Sequence, residues 1–355
     1  MSSPPPASAA TQACLKLHVF RVNEGLGSAC ALEFPDRSCG ILDWGTEAEE
    51  PLEKVLELSR HRLRFVAATH AHEDHTLGLG LLLRRCSALG IKPERFFYTA
   101  FTSGFNDRKI SFFEALRAVD ELEIDSVPIG EDASESPPGE RQPRTLAWAE
   151  DGSWDIRVLG PPWTRISSSQ INSAIKEEEV PGNETSLIVL FRFLPSTPVL
   201  GMGRALLTGD ATPAGLAYAR KTAQRHGYNF ENQLFLVPHH GSKRNFPLWL
   251  ADYIRGLAVV SGSMESKHHP APEVLRHLSD WTCGSTPKLF CTAYGHSCSQ
   301  AFGKEAPERQ AHLGQPGSCF GDIVVRLPAA SPATLERSSA DGESRRPFGY
   351  CGHPE

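Results

Sequence analysis

Ala68-Thr69-His70-Ala71-His72-Glu73-Asp74-His75 (ATHAHEDH) crowds three histidines, two carboxylates and a threonine into eight positions. The run before it, Phe65-Val66-Ala67-Ala68-Thr69, is short and apolar enough for a buried strand. Residues 77 to 89 after it are apolar enough for a buried helix despite Gly78 and Gly80. The stretch therefore lies at a strand-to-helix junction, where a tight turn lets His70, His72, Asp74 and His75 converge. Neutral imidazole and carboxylate are suitable ligands for zinc, manganese or iron at neutral pH. The plain alternative is a polar helix cap, with Asp74 as the capping group. Three histidines at this spacing, directly after a strand, favour the metal reading.

Working outward, the chain opens with strand-like runs at 15–22, 28–34 and 39–45, separated by Gly-rich or Pro-Asp turns. A helix is expected at 49–59, with apolar spacing at Leu52, Val55, Leu56 and Leu58. Further strands are expected at 95–101, 154–161, 185–193, 204–210, 232–242, 257–263, 288–295 and 320–328, with helices at 111–122, 213–225 and 272–281. Residues 131–144 read as an exposed excursion within an insert at about 122–182. The Pro/Ser/Ala-rich residues 1–14 and the Ser/Arg/Pro/Gly-rich 329–355 read as flexible tails around one domain at 15–328.

The 355 residues carry a formal charge of -6, which gives no global pull toward nucleic acid or anionic membrane. No apolar run is long enough to span a bilayer, and the N-terminus lacks the pattern of a secretory signal, so a cytoplasmic protein is expected. Nine cysteines, an odd number with no C-x-x-C pair, read as reduced core thiols rather than a disulfide or zinc framework.

The apolar strands repeatedly end in Asp or His: Asp43 after GIL, Asp210 after RALLTG, and His239-His240 after FLVP. Singly, each reads as a cap, a turn former or a core histidine. Together they matter, because the C-terminal strand ends are where α/β folds place ligands and catalytic groups. A carboxylate such as Asp210 can bridge two ions about 3.5–4 Å apart.

HAHEDH resembles the HxHxDH signature of the metallo-β-lactamase superfamily. Six further segments, in order, resemble the branch found in ComEC-type DNA-uptake proteins: VNEGLGSACALEF, ILDWG, NETSLIVLF, ALLTGD, LVPHHGSK and HHPAPEVLRHL. The resemblance spans roughly residues 15–328 and implies an α/β fold, a four-layer αββα sandwich. It implies two divalent metal ions, zinc or manganese. His70 and His72 would serve one ion and Asp74 and His75 the other, with Asp210 bridging. One of His239 and His240, with His240 favoured, would complete the second site. Asp43 would orient the metal loop. The superfamily's further histidine ligand has no counterpart, because residues 76–209 contain no histidine. Asn183 occupies the comparable segment as a weak ligand, a substrate contact or simply a turn former. Lys267-His268 replaces the branch's Tyr-Gly before His-Pro, leaving His269 a substrate-contacting or proton-donating role. The branch's membrane domain is absent, so transport is not inherited.

The implied reaction is metal-assisted hydrolysis, with Asp74 orienting or deprotonating water. Lys243, after HHGS, either holds a phosphate oxygen or is plain solvated surface. The leading expectation is a phosphodiesterase acting on nucleic acid, with RHRLR (60–64) and SKR (242–244) as its basic contacts or as ordinary surface. Hydrolysis of a small phosphoester, cyclic nucleotide or lactone is a second enzymatic reading, with the insert as a lid. A metal-bound sensor or effector acting through protein partners is a third.

Overall fold

The computed structural model describes residues 13–22, 27–99, 110–129, 142–161, 182–194, 203–262, 268–280, 288–292 and 322–337. Two mixed sheets pack face to face. The first runs in the order β15 (Thr334–Arg337), β14 (Ile323–Pro328), β1 (Cys14–Val19), β2 (Ala29–Glu33), β3 (Cys39–Trp44), β4 (Leu63–Ala68), β5 (Arg95–Thr99) and β6 (Ser126–Ile129). The second runs β13 (Lys288–Cys291), β12 (Ile254–Val260), β11 (Asn232–Leu236), β10 (Arg204–Leu207), β9 (Ile188–Phe193), β8 (Trp154–Gly160) and β7 (Thr145–Trp148).

Each sheet is antiparallel on one side and parallel on the other: β3 to β6 run parallel in the first, β10 to β13 in the second. Parallel neighbours need long crossovers, and helices supply most of them. These are α1 (Glu49–Ser59), the short turn α2 (Glu73–Thr76) with α3 (Leu79–Ala88), and α4 (Ile110–Glu121) on the first sheet. On the second they are α5 (Pro213–Arg225) and α6 (Pro272–Asp280). Thr212 caps α5, its hydroxyl accepting from Gly215 N at 3.3 Å, and Pro213 opens the helix. The Ala-Thr-Pro after Asp210 thus serves the helix.

Because helices cover the outer faces, the parallel strands are buried on both sides and read as continuous apolar runs. On β4, Val66 and Ala68 pack with Leu52, Leu82, Leu83 and Phe112 of the helices. Phe65 and Ala67 face the second sheet, in a cluster with Trp154, Phe191 and Leu207. The Phe34 and Trp154 rings stack between the sheets at 4.5 Å. On the far side Leu206, Phe235 and Val260 pack beneath Leu216, Ala219 and Leu275. The result is the expected αββα sandwich.

Two boundaries differ from expectation. Within the 122–182 insert, β6, β7 and β8 are integral sheet strands, and 130–141 and 162–181 lie outside the described residues. β15, in the segment expected to be a tail, pairs antiparallel with β14 from Ile323↔Arg337 to Arg326↔Thr334. Its Leu335 packs against the inter-sheet core, which supplies the apolar contact that the flanking Ser/Pro composition conceals. Cys30, Cys39 and Cys86 are free thiols, and burial pushes all three up to about 12. Among the described residues no helix is long and apolar enough to cross a membrane.

Candidate metal centre

β3, β4, β10 and β11 deliver the histidines and aspartates at one edge of the sandwich. After β4 the chain passes through Thr69, His70 and His72 into the single turn α2, where Leu77 N donates to Glu73 O at 2.8 Å. Two glycines let this loop press onto the strand ends. A Cβ on Gly45 would lie 1.9 Å from Asp74 O, and one on Gly78 1.8 Å from Thr46 O. Ser28 N donates to Asp74 O at 2.8 Å and fixes the turn further.

Asp43, buried and at φ 60°, is the hub beneath the loop. It accepts from Thr69 N at 2.7 Å and from Thr69 Oγ1 at 2.8 Å, and its Oδ2 lies 2.7 Å from His75 Nδ1. A carboxylate there keeps the His75 proton on Nδ1 and aims the Nε2 lone pair inward. The Thr69 hydroxyl gives its proton to Asp43, so at 3.2 Å it serves His70 Nδ1–H as acceptor. Asp43 thereby orients two imidazoles, one directly and one through Thr69.

The opposing loop is built differently. Asp210 follows Gly209, which adopts φ 49°, and a Cβ there would meet Thr69 Oγ1 at 2.8 Å. β11 leads into His239, His240 and Gly241, three consecutive residues in the left-handed region at φ 49°, 53° and 81°. His239 N donates to Gly209 O at 3.0 Å, and Ser242 N to His239 O at 2.8 Å. His240 Nδ1 donates to Ser261 O at 2.9 Å, again leaving Nε2 to face inward.

Two donor groups result, and Asp210 belongs to both. One ligand atom each from Asp74, His75, Asp210 and His240 lies within 4.8 Å of the others, as do those of His70, His72 and Asp210. Asp210 Oδ1 lies 3.0 Å from His75 Nε2, and Oδ2 lies 3.7 Å from His70 Nε2 and 3.5 Å from His239 Nε2. Asp74 Oδ2 is 3.4 Å from His240 Nε2. The Nε2 atoms of His70, His75 and His240 are buried without a hydrogen bond of acceptable geometry. Each such orphan costs about 1–3 kcal/mol, and divalent cations between these donors would satisfy them together.

The charge state agrees with that fit. Burial, aided by His75, holds His70 well below its ordinary pKa. Burial opposes protonation of His75 too, yet Asp210, Asp43 and Asp74 raise it well above the usual value. Burial works against ionisation of Asp74 and Asp210, but His75, with His240 beside Asp74 and His70 beside Asp210, holds both carboxyls well below the usual range. His240 is raised, against burial, chiefly by the Asp74 carboxylate beside it and by Asp210. Protons on these groups are what bound cations would displace.

The remaining expected residues lie around this cluster. Asn183 Nδ2 is 3.1 Å from His239 Nδ1. The His269 ring is 5.1 Å from that of His239, and burial, with His239 and His240 nearby, pushes it down to about 4. Lys243 is exposed and pairs with Glu273 at 3.9 Å. The RHRLR segment lies at the opposite end of β4 from His70, and its arginines are taken by carboxylates. Arg60 pairs with Glu57 at 2.8 Å, Arg62 with Glu94 and Glu150, and Arg64 with Asp36 at 2.5 Å. It is therefore ordinary surface rather than a phosphate track. Thr69 and Ser261 were not singled out from sequence. Thr69 stands inside ATHAHEDH, whereas Ser261 gives only the hint of ending another strand at this edge.

A family model described as "Metallo-beta-lactamase superfamily" matches residues 25–240, more than half of the chain. No curated protein matches in sequence. Matching solved structures include the metallo-β-lactamase fold protein YhfI from Bacillus subtilis, at 10% identity over 79% of this chain and 95% of that one, with a TM-score of 0.44. A long-form RNase Z from yeast matches at 11% identity over 73% of this chain and 38% of its own, with a TM-score of 0.39. A diphosphatase from the PhnP family matches at 11% identity, 78% and 94% coverage and a TM-score of 0.39. These structural likenesses are too distant to carry a functional conclusion.

Proposed function

The chain belongs to the metallo-β-lactamase superfamily, and from that premise we propose that it is a two-metal phosphodiesterase, related in its site to the ComEC-type module. The observation that carries this reading is the Asp210 carboxylate, whose two oxygens face different histidine groups: Oδ1 toward His75 and Oδ2 toward His70.

His70, His72 and Asp210 would hold one divalent cation, zinc or manganese, and Asp74, His75, Asp210 and His240 would hold the other. When bound, such a pair polarises a phosphoryl or carbonyl oxygen and lowers the pKa of water between the ions. Asp74, partly open to solvent, would orient the attacking water by accepting a hydrogen bond from it. Asp43 and Thr69 keep His75 and His70 in the ligating tautomer, so the donors need no reorganisation. His269, beside His239, contacts substrate. Among these residues His72, Asp74 and His239 are partly exposed to solvent.

A small phosphodiester is a second substrate reading. It is favoured by the neutralised RHRLR arginines and the net charge of -6, since an extended polyanion needs many phosphate contacts. Purified protein with manganese or zinc, incubated with single- and double-stranded DNA, RNA, cyclic dinucleotides and small esters beside Asp210→Ala, tests both. Cleavage of a polymer that falls steeply with salt supports the nuclease form, and salt-insensitive turnover of a small diester supports the second. Full activity in Asp210→Ala would overturn the two-metal reading.

A further inference from the structure

Besides His72, four histidines surround the Asp210 carboxylate, and three of these four share one wiring. His75 gives its Nδ1 proton to Asp43, His70 to the Thr69 hydroxyl and His240 to Ser261 O. In each, Nε2 is left as a lone pair aimed at the shared carboxylates. His239 is the exception. Its Nε2 lies 3.5 Å from Asp210 Oδ2, the oxygen that also faces His70 at 3.7 Å, yet its Nδ1 meets the amino group of Asn183 at 3.1 Å. An amino group can only donate, so this contact places the His239 proton on Nε2 and blocks ligation. The Asn183 Oδ1 is meanwhile buried without a hydrogen-bond partner. Half a turn of the carboxamide exchanges its two ends. Oδ1 then accepts from His239 Nδ1–H, the orphan is satisfied, and His239 acquires the wiring of the other three.

We infer that His239 is a ligand of the first cation, beside His70, His72 and Asp210, and that Asn183 is the positioning residue that selects its tautomer. This rests on the two-cation reading above and deepens it. The first group otherwise has three donors against four in the second, because no histidine occurs in residues 76–209. The left-handed backbone of His239 and His240 lets one loop serve both groups, His240 turning to Asp74 and His239 to the far oxygen of Asp210. The first position would then have four protein donors, with His239 more solvent-accessible than His70 or Asp210.

The test is metal binding, read apart from turnover. Metal-free protein is titrated with zinc against a competing chelator and its metal content measured after gel filtration, for wild type, His239→Ala, His239→Gln, Asn183→Ala and Asn183→Asp. Wild type should bind two ions. Both His239 variants should keep one and weaken the other at least 10-fold. Asn183→Ala should weaken that same ion about 10–100-fold, and Asn183→Asp, which presents an acceptor, should restore it. Histidine nitrogen NMR of the zinc-loaded wild type should show His239 protonated on Nδ1. Two ions bound with unchanged affinity by both His239 variants, or a proton on His239 Nε2 in the loaded protein, would overturn the inference while leaving the two-cation reading intact. A wild type that binds fewer than two ions overturns that reading, and the inference with it.

Discussion

The loop after β4 and the loop after β11 present histidines to the same carboxylate, but they are held by opposite means. In the first, side chains do the orienting: Asp43 and Thr69 fix His75 and His70. In the second, backbone does most of it: Ser261 O fixes His240, Gly209 O accepts from His239 N, and three successive residues sit in the left-handed region. A side-chain scaffold is broken by substituting the orienting residue. A backbone scaffold tolerates that and fails instead when the conformation itself is denied.

Asp210 joins the two loops, and its replacement should have the largest effect. Asp210→Ala is expected to lower hydrolysis and the affinity for both cations by more than about 100-fold, since even residues behind the ligands typically cost 10–100-fold. Chelator-competition titration checks it. Asp43→Asn should come next, costing about 10–100-fold in affinity because its amide no longer accepts on both sides, while the circular dichroism of the fold is retained. In the second loop the corresponding lesion is Gly241→Ala. Gly241 has φ 81°, and its added Cβ would meet Pro270 Cβ at 2.7 Å, so unfolding free energy in urea should fall by about 1–3 kcal/mol. Ser261→Ala removes only the hydroxyl's bond to Gly27 O, 2.8 Å long, and leaves the carbonyl that orients His240. It should cost about 0.5–1.5 kcal/mol of stability with metal affinity unchanged. A large loss of affinity in Ser261→Ala would break the contrast.

The smallest effect should come from a pair remote from both loops. Glu33, hydrogen-bonded to Lys16 and 3.4 Å from His18 Nε2, is held down from 4.5 to about 2, the neighbouring His18 contributing most. Its folded value lies below its unfolded one, so its contribution is fully present above about pH 4.5 and is lost as pH falls through about 2. The Tm gap between wild type and Glu33→Gln should therefore narrow across that window, with metal content at neutral pH unaffected.

The same contrast explains what was legible in sequence. The loop after β4 is local: His70, His72, Asp74 and His75 lie within six residues, and chain spacing alone brings them together. The parallel strands were legible because double-sided burial writes them as apolar runs. β6 (SVPI) and β7 (TLAW) are four-residue strands with polar or proline positions, too short to show a period. The choice between His239 and His240 was not legible because it depends on left-handed backbone. In a regular strand adjacent side chains alternate, whereas here two non-glycine residues at positive φ direct one ring to Asp210 and the other to Asp74. Gly241 hinted at a turn without specifying one. The roles of Asn183 and Ser261 depend on contacts 56 and 21 residues away along the chain, which no local pattern encodes.

The central claim is that one carboxylate is shared by two cations, about 3.5–4 Å apart. Electron paramagnetic resonance of the manganese-loaded protein tests it most directly. Bridging by Asp210 predicts the spectrum of an exchange-coupled manganese pair in wild type, lost in Asp210→Ala. A wild-type spectrum of isolated, uncoupled ions at full loading would contradict it.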